Sequence, residues 1–399
     1  MPTLSKRAAQ MPASPIRKLV PFAEGAKSRG IHVYHLNIGQ PDIATPKEMM
    51  EAYRHTQLTV LPYSHSAGSW EYREHLAAYY RRHGIPVEKE NVLVTTGGSE
   101  AIIFTFMTLM DPGDEVIIPE PFYTNYNGFA VEAGVTVVPV TCHRADGFQL
   151  PPDDAIEARI TERTKAILIC NPNNPTGYVF TQEELERLLK IAQKYDLFLL
   201  ADEVYREFVY DGAQHHSILS LPDIGERGVI MDSISKRYSA CGARIGCVVT
   251  KNPAILEAAL KFGQARLSPP TLDMIAADAA LLNTPPEYLQ NVVEEYRQRR
   301  DVVFEALGTI PGVEGLKPKG AFYTIVKLPV DDAEKFATWL LSDFNYQGET
   351  VMLAPANGFY ATPGKGVDEV RIAFVLNVEA MKRSMEILRV ALEQYPGRQ

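Results

Sequence analysis

The sequence predicts an α/β fold: a large unit built on a mostly parallel sheet covered on both faces, followed by a smaller α+β unit. Three observations predict it. From about residue 90, short continuously apolar runs alternate with longer amphipathic ones. Strands apolar at every position are buried on both sides, which is the pattern of parallel sheets flanked by helices. The polar residues that stand out fall just after those runs, where ligands of such sheets sit. After about residue 285 the texture changes, and a charged helix opens a shorter series of strands and helices.

The elements follow in order. Asn91-Val-Leu-Val-Thr reads as a strand and Ser99 to Met110 as a helix. Glu115-Val-Ile-Ile-Pro and Thr136-Val-Val-Pro-Val are strands. Ala166-Ile-Leu-Ile-Cys is another, ending in the loop Asn171-Pro-Asn-Asn-Pro-Thr-Gly177. Thr181-Gln-Glu-Glu184 is a capping box, opening a helix whose apolar stripe is Leu185, Leu188, Leu189 and Ala192. Leu197-Phe-Leu-Leu-Ala, Val229-Ile-Met and Ile245-Gly-Cys-Val-Val are further buried strands. Beyond Pro285-Pro286 come a helix over Tyr288 to Glu305 and strands at Ala321–Val326, Val351–Leu353 and Val370–Val375. Helices are expected around Asp332 to Asp343 and Val378 to Glu393. The first 45 residues, rich in proline and short of strands, are expected to pack beside the smaller unit. The expected division is 1–45, 46–285 and 286–399.

A chain of 399 residues with 46% apolar and 22% charged residues can bury two or three cores. A net charge of −9 argues against a nucleic-acid partner and against an anionic membrane surface. No apolar run approaches the roughly 20 residues of a membrane helix, and Met1 to Pro12 lacks the apolar core of a signal peptide. Cys142, Cys170, Cys241 and Cys247 form no Cys-x-x-Cys pair. They read as reduced, core or near-core residues of a cytoplasmic protein, with no metal site.

The segment Ser233-Ile-Ser-Lys-Arg-Tyr-Ser-Ala-Cys-Gly-Ala-Arg244-Ile-Gly places Lys236 among small and hydroxyl residues, eight positions before an arginine. A crowded, partly dry site with a cationic neighbour favours the nucleophilic amine form of a lysine, which suits imine formation with an aldehyde cofactor; an exposed turn is the plain alternative. Ser233, Ser235 and Arg244 suit a phosphate. Gly97-Gly98-Ser99 opens a helix directly after a strand, so backbone N–H groups can meet an anion; an ordinary turn reads the same way. Its spacing fits neither a Walker loop nor a dinucleotide fingerprint. Asp202 ends a dry strand, where a buried carboxylate needs a partner such as a protonated pyridine nitrogen, or else caps a helix. Tyr205, one turn later, and Asn174, in its Asn-Pro-Thr-Gly turn, are candidate donors to a ring oxygen; core packing and turn formation are their plain alternatives. Arg371, inside the apolar strand Val-Arg-Ile-Ala-Phe-Val, suits a carboxylate through its two-pronged fork, or an edge-strand ion pair.

Together these stretches, with Leu36-Asn-Ile-Gly-Gln-Pro-Asp42, occur in one order over nearly the whole chain. The sequence resembles the class I/II aminotransferases of the aspartate aminotransferase superfamily, pyridoxal-phosphate enzymes of fold type I. The resemblance implies the cofactor pyridoxal 5'-phosphate. Lys236 would bond to it and shuttle the substrate α-proton. Asp202 would pair with the ring nitrogen, and Asn174 and Tyr205 would contact the ring oxygen. Ser99, Ser233, Ser235 and Arg244, with the backbone around Gly98, would hold the phosphate. Tyr123 would stack on the ring. Arg371, with Gly39 and Asn174, would bind the substrate α-carboxylate. Tyr63 would reach the phosphate of a second subunit, implying a homodimer with shared active sites.

The implied reaction moves an amino group between an L-amino acid and a 2-oxo acid in ping-pong fashion. Glutamate/2-oxoglutarate is expected as one couple, with aspartate or an aromatic or branched amino acid as the other. Arg17, in Ser14-Pro-Ile-Arg-Lys, is the candidate reader of the substrate side chain; a solvent-facing arginine is the plain alternative. Two departures count against strict aspartate specificity. Ser99-Glu-Ala stands where some aspartate-specific relatives have a lysine, and Ala354-Pro-Ala-Asn-Gly-Phe-Tyr where relatives often have Pro-Gly. A carbon–sulfur lyase or cyclase of the same fold, and a non-catalytic cofactor-binding regulator, are the alternatives.

Overall fold

A computed structural model describes residues 2–399. Its strands are β1 (His32–His35), β2 (Val92–Thr95), β3 (Glu115–Glu120), β4 (Thr136–Thr141), β5 (Thr164–Cys170), β6 (Phe198–Asp202), β7 (Gly228–Ser233), β8 (Gly246–Thr250), β9 (Glu314–Gly315), β10 (Tyr323–Lys327), β11 (Glu349–Met352), β12 (Ala354–Pro355) and β13 (Glu369–Ala373). Seven of them form one sheet in the order β2-β8-β7-β6-β5-β3-β4. Only β8 runs against its neighbours β2 and β7; β3, β4, β5, β6 and β7 pair in parallel. The expected mostly parallel sheet is present.

Alternate residues of these strands enter two different cores, the direct result of the two-residue side-chain period of a strand. Val116, Ile118, Ala166, Leu168, Leu200, Met231 and Val248 enter one. Ile117, Ile167, Ile169, Leu199, Ile230 and Val249 enter the other. Each fully buried aliphatic side chain contributes roughly 1.5–3 kcal/mol, so both faces need helices. The helix Gln182–Lys194 supplies one cover through Leu185, Leu188, Leu189 and Ala192. It opens with the expected capping box: Thr181 Oγ1 accepts from the Glu184 N–H, and the Glu184 carboxylate accepts from the Thr181 N–H.

The C-terminal strands form an antiparallel sheet in the order β12-β13-β10-β9. The helix Pro286–Leu307 precedes it, and the helix Val378–Gln394 packs against Pro286–Leu307. The N-terminal segment, expected to be short of strands, carries one strand of four residues. Its strand β1 pairs in parallel with β11, His32 opposite Glu349, and the helix Val20–Ser28 packs on the helix Ala333–Ser342. Among the described residues, no helix is long and apolar enough to cross a membrane.

Candidate active site

At the carboxyl ends of β2, β5, β6 and β7 the chain leaves a cavity of about 640 Å³. Gly39, Gly98, Ser99, Tyr123, Asn174, Asp202, Tyr205, Ser233, Ser235, Lys236, Arg244, Arg371 and Arg17 all line it. The structure thus gathers every residue singled out from the sequence except Tyr63, which is 77% exposed and lies outside the cavity. Arg17 stands at the rim as an exposed residue.

One end of the cavity is built for an anion. The helix Gly97–Leu109 begins there, directly after β2, with its first N–H groups unpaired by helix bonds. Gly97 has φ +77°, and a Cβ on it would lie 2.3 Å from the Arg244 guanidinium. Only glycine lets that cation rest over the turn. Arg244 is fixed by donating Nη1 to the Cys241 carbonyl at 2.8 Å. The Ser233 and Ser235 hydroxyls lie 2.7 Å apart, and Ser233 Oγ bonds the Ile245 carbonyl at 2.9 Å.

Lys236 lies in the short helix Ile234–Arg237 between β7 and β8. Its Nζ donates to the Gly39 carbonyl at 2.8 Å and lies 3.6 Å from Cys241 Sγ. Those are its only hydrogen-bond partners among the described residues, so no carboxylate occupies the amine. Cys241 is half-buried and lines the cavity, because the turn Cys241–Ala243 folds back toward Lys236; the buried Cys170 lines it too, and Cys142 and Cys247 are buried elsewhere.

Asp202 ends β6 at the far side. Its Oδ2 accepts from the Tyr126 hydroxyl at 2.9 Å, and its Oδ1 from the Val204 N–H at 3.3 Å. Burial pushes its carboxyl up to about 6, against the pull of those two hydrogen bonds. Tyr205 lies in a run of turns after β6, not in a helix, and its hydroxyl meets that of Tyr323 at 3.0 Å.

Arg371 is fully buried on β13, between β12 and β10, so it is not an edge-strand residue. Nη1 donates to Asn174 Oδ1 at 2.9 Å and Nη2 to the Asn37 carbonyl. Its Nε has no partner among the described residues. The guanidinium lies over the rings of Tyr323, 4.5 Å away, and Phe359, 4.8 Å away. Burial lowers its pKa from the usual guanidinium range. Having Oδ1 bound to Arg371 leaves the Asn174 amide NH₂ as the free donor. Gly39 sits so close to Tyr323 that a Cβ would lie 1.6 Å from its hydroxyl oxygen.

Sequence reasoning missed Tyr126, Tyr323 and Asn37. Tyr323 lies in an apolar run where an aromatic reads as core, and Tyr126, between Asn125 and Asn127, carries no motif, although a buried tyrosine hydroxyl usually finds a partner. Asn37 contributes its backbone carbonyl, which no side-chain pattern reports.

The family whose model matches is aminotransferase class I and II, over residues 31–388. The chain belongs to that family. It is 31% identical over 395 residues to an aspartate aminotransferase of Pyrococcus horikoshii, covering 98% of this chain and 97% of the relative. It is 30% identical over 398 residues to aromatic-amino-acid aminotransferase 2 of Thermococcus litoralis, covering 98% of each chain. The fold matches that of Thermus thermophilus aspartate aminotransferase with maleate at a TM-score of 0.89 and 30% identity, over 98% of this chain and 100% of the other. The protein is therefore a transaminase of fold type I, dependent on pyridoxal phosphate, and it moves amino groups between amino acids and 2-oxo acids. The lyase, cyclase and regulator alternatives are set aside.

The residues present fit the cofactor. The cavity offers a lysine free of carboxylates, an anion cradle that only glycine permits at Gly97, and a buried carboxyl at the opposite end. Pyridoxal phosphate needs those three groups at once.

Proposed function

We propose that this transaminase uses glutamate/2-oxoglutarate as one couple and aspartate or an aromatic or branched amino acid as the other. The buried Arg371, with Nε unpartnered, carries the reading: a dry guanidinium among Asn174, Tyr323 and Phe359 calls for a carboxylate, which every amino acid and 2-oxo acid brings.

When bound, pyridoxal phosphate supplies an aldehyde for the amino group and a ring that accepts the electron pair. The chain's own residues do the rest. Lys236 Nζ would hold the cofactor's aldehyde carbon and, when free, would move the substrate α-proton. Asp202 would keep the ring nitrogen protonated. Asn174 and Tyr205 would donate toward the ring oxygen, and Tyr123 would pack on the ring. Ser99, Ser233, Ser235, Arg244 and the Gly98 backbone would hold the phosphate. Gly39 and Asn174 orient the substrate carboxylate on Arg371. Arg17 is the one lining cation left for the substrate side chain. A distal carboxylate or a stacked aromatic ring would satisfy it.

The working unit is a homodimer. In its support, Val60, Leu61 and Tyr63 form an apolar stretch 72%, 60% and 77% exposed, which a partner would cover while Tyr63 reaches its phosphate. Four free cysteines fit a reducing cytoplasm. The division 1–45, 46–285 and 286–399 accords with the sheets: the seven-stranded sheet lies within the middle part, and β1 joins β11 of the last.

Half-reaction kinetics with all common amino acids test the substrate assignment. Glutamate is expected among the fastest donors, with aspartate or one aromatic or branched group as its equal. A preference confined to small neutral donors would overturn it.

A further inference from the structure

Four cavity residues each have a chain neighbour in a single buried charge cluster beneath the site. Glu203 follows Asp202, Arg206 follows Tyr205, Asp232 precedes Ser233, and Arg237 follows Lys236. Arg237 donates Nη2 to Asp232 Oδ2 at 2.6 Å and Nε to Glu207 Oε1 at 2.6 Å. Arg206 donates to Glu203 at 2.9 Å and stands 3.8 Å from Asp232, which joins the two halves. Asp232 also accepts from the Tyr80 hydroxyl at 2.8 Å and, through Oδ1, from the Ser233 N–H at 2.7 Å. All five charged side chains are at most 6% exposed.

Such a cluster is a poor device for stability alone. Desolvating five charges offsets most of their attraction, and apolar residues of similar volume hold a fold as well. The satisfaction is also incomplete: among the described residues, Arg206 Nε and Nη1 and Glu207 Oε2 have no partners. What an ion pair adds is a fixed geometry. The Asp232–Arg237 pair closes over the four residues Ser233 to Lys236, binding the two ends of the segment that carries both phosphate hydroxyls and the amine. The Glu203–Arg206 pair does the same for the segment joining Asp202 to Tyr205.

We propose that Asp232, Arg237, Arg206 and Glu203 are positioning residues that set the spacing between the amine and phosphate contacts on one side and the Asp202 carboxyl on the other. This rests on the site reading given above. None of the four lines the cavity; they act by fixing backbone on both sides of it.

The test compares the holoenzyme with Arg237→Met and Arg237→Lys. Three quantities are read: affinity for pyridoxal phosphate by absorbance titration, the pH midpoint of the visible band, and kcat and KM at saturating cofactor. Arg237→Met is expected to weaken cofactor affinity about tenfold or more. It should shift the band's midpoint by about half a pH unit and lower kcat while leaving the amino-acid KM unchanged. Arg237→Lys should restore most of the affinity and midpoint. Wild-type affinity and midpoint in Arg237→Met, with only the melting temperature lowered, would overturn the proposal. If Arg237→Met does not fold, Glu207→Gln at the cluster's edge keeps the shape; affinity and midpoint should then move in the same direction, and their standing still overturns the proposal equally. Borohydride trapping separates the two readings: label on a lysine other than Lys236 defeats the site assignment, whereas label on Lys236 with unaltered affinity defeats the positioning role alone.

Discussion

The Tyr126 hydroxyl donates to Asp202 Oδ2 at 2.9 Å, joining a helix that follows β3 to the end of β6. It is the shorter of the two hydrogen bonds that favour the ionised carboxyl against its burial. Asp202 is consequently poised near neutrality, with a pKa of about 6, where a cationic ring nitrogen would tip it to the charged form.

That poise gives a pH prediction for the cofactor-free protein. A folded-state carboxyl raised above its unfolded value of 3.8 stabilises the fold most below that value. The contribution is lost as pH rises through about 6. Asp202→Asn should match wild type near pH 4 and exceed it near pH 8 by up to about 3 kcal/mol, the equivalent of roughly two pK units. Urea unfolding at both pH values measures it. In the loaded enzyme the same variant should bind cofactor yet turn over slower by orders of magnitude, because the neutral ring is a poor electron sink; near-normal turnover would contradict the pairing.

Arg371→Leu removes a buried, forked donor. The kcat/KM for every amino acid should fall by about 10- to 150-fold, the equivalent of roughly 1.5–3 kcal/mol for a hydrogen bond to a charged group. Steady-state kinetics with acidic, aromatic and branched donors check it. A loss limited to dicarboxylic donors would move Arg371 from the α-carboxylate to the side chain.

Gly97→Ala puts a methyl 2.3 Å from the Arg244 guanidinium at a residue with φ +77°. The left-handed backbone alone costs about 1–2 kcal/mol. The displaced cation should also weaken cofactor retention, read as faster loss of absorbance on dialysis. Gly113→Ala, at φ +99° with open space around its Cβ, is the control that carries the backbone strain alone.

Lys236→Ala should leave a protein without the visible band that borohydride bleaches. Peptide mass spectrometry of reduced wild-type enzyme should place the label on Lys236. A bleachable band surviving in the variant would refute the assignment.

Much of this was legible in the sequence because strands buried on both faces read as apolar throughout, so Asp202 on β6 and Arg371 on β13 stand out as charges with no solvent to meet. Glycine at Gly97 and the hydroxyls around Lys236 are likewise legible, since anion cradles use few residue types. The charge cluster was not. Glu203, Arg206, Asp232 and Arg237 each look like an ordinary polar neighbour, and only the parallel pairing of β6 with β7 brings them together. The strand His32–His35 escaped because it is four residues long and its partner lies far along the chain.

That partnership bears on how the molecule is made. With His32 seated opposite Glu349, and Asn37 accepting from Arg371, the opening stretch of polypeptide finds its place only once nearly all the remainder has been synthesised. Pairings so distant are slow to form. A ribosome that stalled before β11 would release a chain whose β1 has no partner strand, and whose carboxylate pocket has never been assembled.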